Sequence, residues 1–306
     1  MPFVLSEINR RTKTDPRGFA EECEAAFARR VAGAADRIQE NLRESPVVLL
    51  AGPSGSGKTT TAKKLRDELR RRGVGAHAVS LDDYSRPLPP ARTPRTPAGE
   101  PDYESPLYLD MDLLAAHFAA LDRGAPIAVP RYDFIRQQRA TEEEILRPGP
   151  GEAVIFEGIH ALCDGIAACA PGAFRLFISV GDDVTDGGAV VFSRHWMRLL
   201  RRAVRDARCR GADGARTLGV WPTVRRGEAL YIDPCAHRAA LMLSSAFPCE
   251  VPALRRAAEA LFAGLPPRGE LERLLPALAR FEPMDEKLLP PDSLLREFLG
   301  GGCYEQ

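Results

Sequence analysis

The sequence predicts an α/β fold: a parallel β-sheet covered by helices on both faces, preceded by one long helix and followed by a helical tail. Three observations predict it. Short apolar runs alternate with amphipathic helical stretches, the pattern of a sheet whose parallel strands are joined by helical crossovers. One apolar run leads through a glycine-rich turn directly into a helix. Acidic residues stand immediately after two other apolar runs, at strand ends where open α/β sheets bind their ligands.

The elements follow in order. Phe19, Cys23, Ala26, Phe27, Val31, Ala34 and Ile38 recur at steps of three or four and predict an amphipathic helix over residues 18–44. After Pro46 comes an apolar strand at 47–51, then a helix from about Lys58 to Arg72 that Gly73 and Gly75 terminate. Residues 76–81 predict a second strand. Residues 85–106 are rich in proline and lack any period, which predicts a long loop. Leu113, Leu114, Phe118 and Leu121 mark a helix over 111–122. Strands are predicted at 153–156 and 174–180, an arginine-rich helix over 190–210, and a strand at 239–243. Helical patterns recur near 252–263, 268–280 and 293–299.

The turn after the first strand reads Gly52-Pro53-Ser54-Gly55-Ser56-Gly57-Lys58-Thr59, followed by Thr60. It matches G-x-x-x-x-G-K-[ST] in the required strand–loop–helix setting, which is a P-loop. Glycines let backbone N–H groups approach phosphates closely, and the helix N-terminus adds partial positive charge. Lys58 is placed to reach the β- and γ-phosphates, and the Thr59 hydroxyl to ligate Mg²⁺. The loop predicts nucleotide binding without separating a kinase from another NTPase.

The second strand ends in Asp82, Asp83 and Tyr84. A small-molecule kinase needs a base for the acceptor hydroxyl, and Asp82, then Asp83, is the candidate; the competing reading is a pair of solvated turn residues. Glu157 follows the strand at 153–156 and is the candidate second contact to Mg²⁺. Arg198, Arg201, Arg202 and Arg205 lie at helical spacing, with Arg198, Arg201 and Arg205 on one face. In a P-loop setting such a face predicts a lid that clamps phosphoryl groups, with Gly211 and Gly214 as hinges. The alternatives are a solvated helix face or an RNA-binding stripe.

Composition narrows the partners. The 306 residues carry 42 Lys+Arg and 42 Asp+Glu, so overall charge gives no reason to expect nucleic acid or an anionic membrane. Seven cysteines without C-x-x-C spacing read as free thiols of a reducing compartment. No signal-peptide core or membrane-spanning run is visible, so a cytoplasmic location is expected.

These segments together resemble the uridine kinase/phosphoribulokinase family of P-loop kinases, and are most like bacterial uridine kinase-like proteins. The matching stretches are GPSGSGKTT at 52–60, VSLDDY at 79–84, PRYDF at 130–134, VIFEGIHAL at 154–162, RLLRRAVRDARCRG at 198–211, WPTVRRGE at 221–228, LMLSSAF at 241–247 and PPDSLLREFLGG at 290–301. In that group the kinase region often follows an N-terminal TGS-type domain, which is not expected in this chain. The expected division is an N-terminal helical extension at 1–45, a P-loop kinase domain at 46–264 and a C-terminal helical extension at 265–306, read as packing.

The resemblance implies ATP and Mg²⁺ as cofactors and transfer of the γ-phosphoryl to a ribose 5′-hydroxyl, with uridine or cytidine as acceptor. It implies Asp82 as the catalytic carboxylate, Glu157 as the magnesium-linked acid, and Arg201 and Arg202 as the phosphate-facing pair of the lid. Glu104 falls where uridine kinases place an Asp on the ribose hydroxyls. Tyr132 and Phe134 match the aromatic pair lining the base pocket, and Arg198 a substrate-holding arginine. Classical uridine kinases carry a base-reading His where this chain has Gln137, which leaves base choice open. Asp83 and Tyr84 complete the expected substrate side. Rival readings are a kinase of another small alcohol, such as a sugar phosphate or a pantothenate-like compound, and a nucleotide-dependent RNA-binding or regulatory ATPase. A homo-oligomer is compatible with all of these.

Overall fold

The computed structural model describes residues 3–133, 136 and 138–304. Twelve strands are assigned among them: β1 (Phe3–Val4), β2 (Val47–Ala51), β3 (Ala76–Ser80), β4 (Ile127–Val129), β5 (Tyr132–Asp133), β6 (Gln138–Arg139), β7 (Glu144–Leu146), β8 (Ala153–Glu157), β9 (Phe174–Ser179), β10 (Val184–Asp186), β11 (Ala189–Phe192) and β12 (Leu241–Ser244). The helices are α1 (Leu5–Thr14), α2 (Pro16–Asn41), α3 (Lys58–Arg71), α4 (Met111–Asp122), α5 (Asp164–Cys169), α6 (Arg194–Cys209), α7 (Gly214–Gly227), α8 (Glu250–Phe262), α9 (Glu270–Leu278) and α10 (Arg296–Leu299).

Five parallel strands form the main sheet in the order β12-β9-β2-β8-β3. The strand that carries the glycine-rich turn is therefore central, with β8 and β9 beside it. Strand periodicity splits the core in two. Val48, Leu50, Ile155, Leu176 and Ile178 face one cluster, shared with α2, α3, α6 and α8. Val47, Leu49, Ala51, Val154 and Phe156 face the other, against α4 and α5. The first cluster runs continuously from Leu5 through the sheet to Leu299, so the N-terminal helices and the C-terminal tail belong to one core with the central segment.

The predicted sheet and most helices are present. Helix α2 is fixed at its start by the Asp15 carboxylate, which accepts from the Gly18 amide at 2.9 Å, with Pro16 in the first turn. The arginine-rich helix begins at Arg194 rather than 190, because the β-branched run Ala189–Phe192 pairs with β10 instead. Gly214 is no free hinge: it opens α7, and a Cβ there would lie 3.0 Å from the Leu261 carbonyl of α8. Asp213 caps α7 by accepting from the Arg216 amide at 2.7 Å. Of the 293–299 pattern, only Arg296–Leu299 is helical.

Tyr84 is the first correction among the predicted site residues. It is fully buried, its ring packs edge-on against Phe156 and His117, and its hydroxyl lies 2.8 Å from His117 Nδ1. Its neighbour Asp82 is exposed, since the single turn at Leu81–Tyr84 sends successive side chains in different directions. Tyr84 is thus a pillar under the site and not a wall of it. Tyr84→Phe should lower unfolding stability by about 1–3 kcal/mol, because it strands a buried ring nitrogen. Urea unfolding followed by circular dichroism measures this.

Candidate active site

The turn between β2 and α3 has the backbone shape of an anion cradle. Gly55 and Gly57 adopt φ of +74° and +84°, a conformation that glycine takes without strain. Gly57 also leaves no room for a side chain: a Cβ would meet the Leu294 methyl at 2.7 Å. Gly52 is similarly confined, with the Ile178 carbonyl 2.2 Å from its Cβ position. Ser56 Oγ is buried and, among the described residues, has no hydrogen-bond partner, so the cradle holds an unspent polar group. Lys58 Nζ donates to the Pro53 carbonyl at 3.3 Å, folded back across the turn.

Three carboxyl groups act electrostatically on that lysine. Thr59 donates its hydroxyl to Glu157 Oε1 at 2.9 Å, joining the start of α3 to the end of β8. Burial pushes the Glu157 carboxyl up to about 7, against the pull of Lys58. Burial lowers Lys58, while Glu157, Asp82 and Glu297 favour its charge. A hydroxyl beside a buried, poorly neutralised carboxylate fits a divalent cation whose remaining ligands are phosphate oxygens and water. Glu104 enters from the long loop. Burial raises its carboxyl, Arg202 and Lys58 oppose this, and Asp102 and Asp82 reinforce it, so Glu104 shares the electrostatic field of the lysine and Asp82.

Glu104 is placed by contacts that the sequence did not disclose. His160 Nε2 donates to the Glu104 carbonyl at 2.8 Å. Gly227 lets the end of α7 come close enough that a Cβ there would lie 2.4 Å from the Glu104 Cβ. Buried Asp102 accepts from Arg226 at 2.8 Å and from the Tyr231 hydroxyl at 3.0 Å, pinning the same loop. Asp83 accepts from the Tyr132 amide at 3.2 Å and so braces β5. Tyr132 lies within electrostatic reach of Tyr103, whose ring stacks on Tyr108 at 5.7 Å. Phe134 and Gln137 lie outside the described residues.

The arginines of α6 divide in a way that helical spacing does not reveal. Arg198 is buried; its Nε donates to the Ser54 carbonyl at 2.9 Å and its guanidinium pairs with buried Glu228. Arg201 is fully buried; it donates to the Gly55 carbonyl at 3.3 Å and the Ser245 carbonyl at 2.8 Å, and pairs with Glu250. Both therefore grip the outer side of the cradle, and neither is a free substrate or lid arginine. Arg202 alone of the predicted three reaches the mouth, donating to Ser54 Oγ at 2.7 Å. Asp206 gathers it with Arg205 at 2.9 Å, which helical spacing places on the same predicted face as Arg198 and Arg201, and with Arg210 at 3.7 Å. The charge of Arg205 is felt at Lys58, and that of Asp82 at Arg210.

The C-terminal tail, read as packing, also enters the site. Thr60 donates its backbone N–H to Glu297 Oε2 at 3.1 Å. Elsewhere, among the described residues, no helix is long and apolar enough to cross a membrane, and all seven cysteines are free.

A uridine kinase of Halobacterium salinarum is 28% identical over 195 residues, covering 63% of this chain and 77% of that protein. A uridine kinase of Deinococcus deserti is 30% identical over 165 residues, covering 54% and 70%. Among solved structures, one described as a candidate kinase of a fructose transport system from Silicibacter sp. TM1040 superposes with a TM-score of 0.52 at 19% identity, covering 69% of this chain and 98% of its own, which is a likeness of fold. The model of the Phosphoribulokinase / Uridine kinase family matches residues 47–250, two thirds of the chain. The chain belongs to the phosphoribulokinase/uridine kinase family, a family of kinases built on the P-loop fold.

Proposed function

We propose that the protein transfers the γ-phosphoryl of ATP to the ribose 5′-hydroxyl of a pyrimidine nucleoside. The observation that carries this reading is that Asp82 and Glu104 share the electrostatic field of Lys58, with Tyr103 and Tyr108 stacked on the loop that carries Glu104. Two carboxylates suit a polyhydroxylated acceptor: one takes the proton of the attacking hydroxyl, the other holds neighbouring hydroxyls. Tyr103, Tyr108 and Tyr132 offer flat faces on which a base can stack. The names of the relatives point the same way.

In the proposed reaction, backbone amides of 54–60 and Lys58 hold the triphosphate. Thr59 and Glu157 would hold Mg²⁺, which when bound neutralises phosphate charge. As the acceptor oxygen bonds to the γ-phosphorus, its proton passes to Asp82, and the bond to the bridging oxygen breaks to release ADP. Arg202, with Arg205 and Arg210, faces the charge that develops on the phosphoryl oxygens. The segments 1–45, 46–264 and 265–306 are proposed as extension, kinase domain and extension around one shared core.

Three outcomes are expected. ADP release from ATP and Mg²⁺, measured over nucleosides, sugar phosphates and pantothenate, should rise with uridine or cytidine and vanish in Asp82→Asn; a response to a sugar phosphate alone would replace the nucleoside reading. Arg202→Ala should lower kcat by about 10²–10³ with little change in stability, whereas Arg201→Ala should cost about 3–5 kcal/mol in urea unfolding. The Glu157 carboxyl is raised from 4.5 to about 7, so the folded chain holds its proton more tightly than the unfolded one. Without divalent cation, stability should therefore fall as pH rises from about 4.5 to about 7, by on the order of 3 kcal/mol, and Glu157→Gln should flatten that slope in urea titrations.

A further inference from the structure

The tail from Pro290 to Tyr304 is held along α3 at several points. Lys64 pairs with Asp292 at 2.8 Å, Lys63 donates to the Tyr304 carbonyl at 2.7 Å, and the Tyr304 hydroxyl donates to Asp67 at 2.9 Å. Arg296 bends the segment by donating to the carbonyls of Glu286 at 3.0 Å and Leu289 at 2.8 Å. Leu294, Leu295, Phe298 and Leu299 are buried, and Phe298 lies under the Arg201 guanidinium at 5.2 Å. This docking delivers one charged side chain to the cradle. Glu297 accepts from the Thr60 amide, which lies in the first turn of α3 and has no acceptor within the helix. First-turn amides at the start of such a helix are where a bound phosphate is received. Glu297 also adds a third negative charge, with Glu157 and Asp82, around Lys58.

We infer that Glu297 is an internal competitor for the nucleotide: its carboxylate takes the phosphate position at the Thr60 amide when the cradle is empty and withdraws when the triphosphate enters. The inference rests on the nucleotide-binding reading of the site. The apolar residues on either side of Glu297 stay buried, so the side chain swings while the tail remains docked. A triphosphate entering the cradle displaces this carboxylate and must overcome its negative charge, so the tail sets nucleotide affinity without contributing a ligand to the bound state.

The test measures binding of a fluorescent ATP analogue and of inorganic tripolyphosphate to the full chain, to Glu297→Gln and to Lys58→Ala. Glu297→Gln keeps size and shape while removing the charge. It should bind both ligands about tenfold more tightly, the scale of one charge removed from a helix N-terminus in a partly buried setting. Equal or weaker binding of both ligands in Glu297→Gln, with clear binding to the wild type and weakened binding in Lys58→Ala, would overturn this inference and leave the proposed function standing. A gain confined to the ATP analogue would also overturn it, since the carboxylate would then act on base or ribose. Absence of binding in every variant would overturn the proposed function and this inference with it.

Discussion

The cradle depends on the guanidinium groups behind it. A loop that turns its amide N–H groups toward an anion turns its carbonyls the other way, and buried carbonyls need donors. Here Arg198 and Arg201 of α6 supply them to Ser54 and Gly55. Two buried cations would be costly alone, so each is matched by a buried acid, Glu228 beyond α7 and Glu250 at the start of α8. The loop, α6, the end of α7 and the start of α8 are therefore one charge-balanced unit. Removing any one partner leaves an ion in an apolar environment.

This arrangement explains what the sequence could disclose. The five sheet strands were legible because alternate residues must face opposite cores, and because buried parallel strands are short apolar runs. The cradle is legible as a motif, and Asp82 and Glu157 are proposed for their roles because an acid directly after an apolar strand stands where such sheets bind ligands, whereas Glu104, in a long loop, is named only through the family resemblance. The arginines were not legible. Helical spacing puts Arg198, Arg201 and Arg205 on one face, but whether that face meets solvent, substrate or the back of a loop depends on elements far away in the chain. Tyr84 illustrates the same limit, since one short turn separates an exposed acid from a fully buried ring. Glu297 was invisible for a related reason: an acid in a short tail segment carries no pattern until the tail is docked.

The charge around Lys58 has a similar logic. One lysine faces Glu157, Asp82 and Glu297, with Glu104 close behind, and the arginines at the mouth are gathered by Asp206. Acidic groups thus outnumber basic ones at the floor, and basic groups collect at the rim. Such a floor suits a cation-bearing ligand, and such a rim suits an anion on its way in or out.

The five-stranded sheet and its clamp also separate two kinds of change open to the chain over evolutionary time. The residues nearest the cradle are held by neighbours on every side, so few substitutions there are neutral. The ladders β4–β7 and β5–β6 and the loop that carries Glu104 form small sheets or irregular segments of their own, outside the five-stranded sheet. They can be lengthened, shortened or re-lined while the phosphate end is left intact. A protein built this way is equipped to acquire new acceptors by drift at its margin, with the cost of a failed trial confined to that margin.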